Sequence, residues 1–166
     1  MESLASGSPT DRWDLFSETA SRRRLSPVII EKDFWVCWTL RQVTSLESIG
    51  PNLIFKGGTS LSKAFGLIQR FSEDIDLSIQ RSYLGFTGDN DPELAESKTK
   101  QRKSVDDLRK ACTDRVQTVL LPALTERFKA RLGLNAWSLT SDAEDKNTLN
   151  FVVTTQVAGA GRRGCP

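Results

Sequence analysis

The feature that most restricts this chain is a short apolar run stopped by two glycines, followed about one short helix later by a run of alternating acids and aliphatics. Leu53-Ile54-Phe55 has the composition of a buried strand, and Gly57-Gly58 ends it. Ser60 to about Gln69 reads as a helix with Leu61, Ala64, Phe65 and Ile68 on one face. Asp74 to Ile79 then alternates polar and apolar residues, the signature of a half-buried strand. A strand, a glycine turn, a helix and a second strand in so short a stretch allow the turn and the second strand to be neighbours in one sheet.

That neighbourhood has chemical content. Residues two apart on a strand share a face, so Asp74, Asp76 and Ser78 lie on one side and Ile75, Leu77 and Ile79 on the other. The apolar side suits a core. The other side carries two carboxylates roughly 7 Å apart at the backbone, able to converge on one Mg²⁺ or on two ions about 4 Å apart. A merely solvated face is the plainer reading, but Asp is depleted in strands and like charges on one face repel unless something neutralises them. Asp74 and Asp76 are therefore read as metal ligands.

Gly57 and Gly58 permit left-handed backbone angles and let a phosphate approach where a Cβ would block it. Thr59 and Ser60 open the helix, where free N–H groups and the helix dipole favour an anion and a hydroxyl can add a hydrogen bond. Lys56, Lys63 and Arg70 flank this site, each either a phosphate contact or a simple surface cation. A phosphate cradle beside a cation clamp points to a nucleoside triphosphate.

What the chain lacks narrows the chemistry further. There is no histidine in the 166 residues, which removes Ser-His, Cys-His and His-ligated metal mechanisms. Cys37, Cys112 and Cys165 are odd in number, widely spaced and without a CxxC arrangement, so disulfides and a thiolate zinc site are not expected. A net charge of +2 does not by itself imply nucleic-acid binding. No run approaches the ~20 apolar residues of a membrane span, and the N-terminus has no signal pattern, so a cytoplasmic protein is expected.

Residues 1–10 read as a disordered leader, 11–157 as one partial domain and 158–166, rich in Gly and Arg, as a disordered tail. Asp11 to Arg24 reads as a helix with Trp13 and Phe16 inward. A second helix runs to about Leu46, capped by Ser26 with Pro27 at its first position. Within it, Glu31-Lys32-Asp33 reads as a polar face near the N-terminus. Glu93 to Leu132 is mostly helical, with a break or kink expected at Pro122. Its basic part from Lys98 to Arg115 also contains Asp106, Asp107 and Asp114 and no aromatics; it reads as a solvated helix, with RNA contact as the alternative. Ser141 to Asn147 is an acidic loop and Leu149 to Val157 a strand. The order suits an α+β (α/β-like) domain built on a small mixed β-sheet flanked by helices.

With these residues assembled, the chain resembles the nucleotidyltransferase toxins of the AbiEii/AbiGii type, found in abortive-infection and type IV toxin–antitoxin systems. The segments that carry the resemblance are Val28-Ile29-Ile30-Glu31-Lys32-Asp33-Phe34-Trp35-Val36, Phe55-Lys56-Gly57-Gly58-Thr59-Ser60-Leu61 and Arg70-Phe71-Ser72-Glu73-Asp74-Ile75-Asp76-Leu77. The resemblance implies a polymerase-β-like core and transfer of a nucleotide from an NTP to an acceptor of tRNA type, with Mg²⁺, under the restraint of a cognate antitoxin. It assigns Gly57, Gly58 and Ser60 to the triphosphate, Thr59 to support of the turn, and Asp74 and Asp76 to Mg²⁺. It also places Glu31 and Lys32 in a motif bordering the site. One departure stands out: the superfamily's third carboxylate on a later strand has no counterpart in Thr148 to Val157, and Asp142, Glu144 and Asp145 are weak substitutes. With the Gly/Arg tail, this suggests a C-terminally truncated chain, and leaves a non-catalytic remnant that binds nucleotide or an antitoxin partner as the alternative.

Overall fold

The computed structural model describes residues 1–57, 74–134 and 136–154. Gly58, Thr59, Ser60, Lys63, Arg70, Glu73, the helix expected from Ser60 and the tail from residue 158 lie outside the described residues.

Three helices come first. α1 (Glu2–Ala5) and the start of α2 (Pro9–Arg23) occupy residues read from sequence as a disordered leader. Long-range contacts, invisible in the local sequence, order them. Ala5 is buried in the core, Gln42 Nε2 donates to Glu2 Oε1 at 2.8 Å, and Arg12 Nη1 donates to the carbonyls of Gly7 and Ala5 at 2.6 and 3.2 Å. Ser8 caps α2 by accepting the Asp11 N–H at 3.1 Å. Arg24, at φ 57, ends it in the left-handed conformation. α3 (Pro27–Thr44) starts at Pro27 as expected, but Ser26 makes no side-chain capping bond. Its buried residues are Glu31, Trp35, Val36, Trp38, Gln42 and Val43, so Glu31 lies inside and not on the polar face assigned to it.

The long helix of the second half is α4 (Lys98–Arg115), a π-helical turn (Val116–Leu120) and α5 (Leu121–Leu132) in unbroken succession. Pro122 does not interrupt it. The proline falls in the first turn of α5, immediately after a turn whose wider i→i+5 spacing makes room for the ring and for the missing N–H.

The strands form two separate ladders among the described residues. β1 (Leu53–Lys56) pairs antiparallel with β2 (Asp76–Ile79), Leu53 opposite Ile79 and Lys56 opposite Asp76. β3 (Trp137–Ser141) pairs antiparallel with β4 (Leu149–Val153), Trp137 opposite Val153. The α+β class is as expected. The single mixed sheet is not: both described pairings are antiparallel and two-stranded. β3 was not anticipated, although Trp137, Leu139 and Ser141 alternate with exposed Ser138 and Thr140.

One aromatic cluster joins α3, α5 and the β3–β4 hairpin. Trp38 and Phe128 are wholly buried, with ring centroids 4.9 Å apart. Phe151 lies 4.7 Å from Phe128 and stacks on Trp38 at 6.0 Å, while Trp137 meets Phe128 edge-on at 5.8 Å. Leu53, Leu77 and Ile79 pack against the same core. That contact fixes which face of β1–β2 turns inward, and therefore which face presents the acids.

Candidate active site

Register and burial define the outer face of the first ladder. Leu53, Phe55, Leu77 and Ile79 share the inward side, so Ile54, Lys56, Asp76 and Ser78 share the other. Asp76 is the first residue of β2 and exposed, and Lys56, the last of β1 and also exposed, is its direct cross-strand partner. The two side chains form no ion pair among the described residues. Asp74 is exposed and sits two residues before the strand. The strand expected from residue 74 thus begins at Asp76.

Immediately beyond Lys56, Gly57 has φ +74, the left-handed conformation. A Cβ placed on it would overlap the Asp76 carboxylate, 2.7 Å from its Cγ and 2.9 Å from its Cβ. The turn and the acid are in contact, and only a residue without a side chain allows it. Geometry therefore brings together Lys56, Gly57 and Asp76, with Asp74 two residues away along the chain.

Other acids are placed elsewhere. Glu31 faces Arg12, and both are buried. Burial pushes the Glu31 carboxyl above its ordinary value, against the pull of the Trp35 indole and of Arg12. Burial likewise lowers the Arg12 guanidinium, partly offset by Glu31. The Arg12 guanidinium carbon lies 5.6 Å from the Trp35 ring centroid. Nothing in the sequence pattern distinguishes Arg12 from the other arginines, so this buried pair could not be read in advance.

The loop between β3 and β4 uses its own carboxylates. Asp142 Oδ1 accepts the N–H groups of Glu144 and Asp145 at 2.9 and 3.0 Å. Asp145 accepts from the Asn147 N–H at 3.0 Å and the Thr148 hydroxyl at 2.9 Å. These bonds hold both carboxyls below their ordinary values. Gln117 Nε2 ties the loop to the π-helical turn through Ser141 Oγ at 3.0 Å and the Lys146 carbonyl at 2.5 Å. Asp142 and Asp145 are thus engaged in loop structure.

Comparison with known proteins adds one decisive match. Residues 38–164 fit the family model of the nucleotidyl transferase AbiEii toxin of type IV toxin–antitoxin systems. The chain belongs to the AbiEii family. No curated protein and no solved structure matches it. The match takes in the glycine turn and both aspartates but begins after Glu31-Lys32-Asp33. No described helix of this AbiEii chain is long and apolar enough to cross a membrane.

Nucleotidyltransferases generally work with a divalent cation and an NTP, and the donor set here suits a hard ion. Asp74 and Asp76 offer only carboxylate oxygens, with no imidazole in the chain to favour a softer metal. The Asp76 carboxylate makes no hydrogen bond or ion pair among the described residues. Mg²⁺ is commonly held by one or two carboxylates, with water and phosphate completing its shell. No cluster of three or more acids or cysteines occurs among the described residues.

Proposed function

We propose that this chain transfers a nucleotide from a nucleoside triphosphate to a hydroxyl of an RNA acceptor of tRNA type, and that a cognate antitoxin restrains it. The observation that carries the reading is the contact between the Asp76 carboxylate and the glycine turn at Gly57. A phosphate held by the turn would lie beside the carboxylate that holds the cation.

Asp74 and Asp76 would hold Mg²⁺. Bound there, the ion would offset negative charge that develops on the phosphoryl oxygens in the transition state. Gly57 and Gly58 would let the triphosphate approach the backbone, with Thr59 and Ser60 offering N–H groups and hydroxyls to it. Lys56, directly across from Asp76, would neutralise phosphate charge and orient the pyrophosphate as it leaves. Fixing the triphosphate in line for attack is the larger part of the catalytic task. The acceptor hydroxyl would form its bond to the α-phosphorus as the bond to the pyrophosphate oxygen breaks, its proton passing to water.

Replacing Asp76 with Asn tests this. Incorporation of labelled nucleotide into RNA should fall at least about 100-fold, with an unchanged circular-dichroism spectrum because Asp76 is exposed. Normal incorporation by the variant would refute the metal assignment. The engagement of Asp142 and Asp145 in their own loop favours a second reading, in which the chain binds nucleotide without transferring it. Calorimetric titration of triphosphates in Mg²⁺, run beside the transfer assay, separates the two: heat of binding without incorporation selects the second.

A further inference from the structure

A polar groove of about 420 Å³ lies between the residue 85–90 loop and the first half of α4, and none of its lining residues belongs to β1, the glycine turn or β2. Phe86, Asp89, Asn90, Lys100, Lys103 and Asp107 are among the residues that line it. The size suits a small organic ligand. The composition is more specific than the size: one half-buried aromatic, two lysines, an amide and two acids.

The groove is built, not accidental. Ser104 Oγ donates to the Asn90 carbonyl at 3.0 Å, fastening the loop to α4. Arg81 pairs with both Asp91 and Glu93 at 3.0 Å, and Asp91 accepts the Glu93 N–H at 2.9 Å, so the return of the loop is also fixed. Gly85 and Gly88 hold left-handed angles of +83° and +56°, and a Cβ on either would meet nothing within 4 Å. Of the two, Gly85 lines the groove.

The charges are unevenly satisfied. Lys100 pairs with Glu96, and Asp107 is within 3.5 Å of Lys110. Lys103 has no carboxylate partner among the described residues, and neither Asp89 nor Lys103 makes a side-chain hydrogen bond there. Lys100 and Lys103 are three apart on the helix and so lie on one face. A purely anionic ligand would be repelled by Asp89. An aromatic surface, an ammonium pair and polar groups that can accept from or donate to a base edge are together what a nucleotide unit presents a use for.

We propose that this groove seats one nucleotide of a single-stranded RNA end, its base against Phe86, its phosphates near Lys100 and Lys103, and its polar edge toward Asp89 and Asn90. Its service as the acceptor groove rests on the transfer reading above; the binding itself does not. The aromatic missing from the basic helix is thereby supplied by the loop beside it.

The test uses the full chain and a short, fluorescently labelled single-stranded RNA of mixed sequence, followed by anisotropy. Phe86→Ala should weaken binding about tenfold. Lys103→Ala should weaken it for all sequences and reduce the salt slope by about one; this exposed residue can be replaced without disturbing the core. Both variants should raise the acceptor KM while leaving the KM for the triphosphate unchanged. Failure of the wild-type chain to bind the RNA, or equal affinity and salt slope in Lys103→Ala, overturns the proposal. Transfer that persists in both variants with unchanged acceptor KM removes the groove and leaves the transfer reading intact. Loss of binding in the variants of a wild-type chain that transfers nothing supports the groove and removes the transfer reading.

Discussion

The Asp76 carboxylate fills the volume in which a side chain on Gly57 would begin. This ties the conformation of the turn to the position of the acid. Gly57→Ala should therefore do two things. The left-handed φ of +74 costs an L-residue roughly 1–2 kcal/mol, which for a chain of this size lowers the melting temperature by a few degrees. Displacement of Asp76 should lower nucleotide incorporation at least about tenfold. Calorimetric melting and a transfer assay read the two effects, and an alanine variant unchanged in both would show that the contact has no consequence.

The buried Glu31 gives a dependence on pH with a definite sign. Its folded value lies above the ordinary 4.5, so its stabilising contribution is full below about 4.5 and is lost as pH rises through the raised value. Relative to Glu31→Gln, the wild-type melting temperature should fall across that window and then level. A difference independent of pH would mean that Glu31 is not held in a desolvating site.

Asp142 behaves in the opposite sense. Its folded value lies below the ordinary 3.8 because it accepts the Asp145 and Glu144 N–H groups and the Asn150 amide. Its contribution is present above about 3.8 and is lost as pH falls through the lowered value. Asp142→Asn should therefore melt earlier than the wild type at neutral pH, with the curves converging in acid. Parallel curves down to the lowest pH measured would contradict the loop geometry.

The aromatic cluster should dominate stability. Phe128 is fully buried and touches rings from α3, β3 and β4, so Phe128→Ala should cost about 3–5 kcal/mol in denaturant unfolding. Val152, 58 % exposed on the outer side of β4, is the control, and its alanine variant should stay within about 0.5 kcal/mol. Equal effects at the two positions would mean that the core lies elsewhere.

Local pattern carried α2, α3, β1 and the approximate place of β2 because each has a strong period or cap within its own residues. Pro27 marks one start, while the helix expected from Asp11 begins two residues earlier, at Pro9 after the Ser8 cap. Leu53 to Lys56 alternates in burial as a strand does, whereas in β2 Asp76 is exposed and Leu77 to Ile79 are all half-buried. The contact of Gly57 with Asp76 follows from an antiparallel register that spacing alone does not specify. α1 and the Arg12–Glu31 pair depend on contacts across the fold, the first through Gln42 and the second through α2 against α3. Phe86 gives no signal of its own, because the helix residues that line the groove with it come later in the chain and no periodic pattern joins a loop to a helix face.

The wide turn at Val116–Leu120 has an effect beyond sparing Pro122. One surplus residue in a rod of 3.6 per turn rotates everything beyond it by about 100°. The lysines of the first half and Phe128 of the second thus answer to different neighbours along one continuous helix.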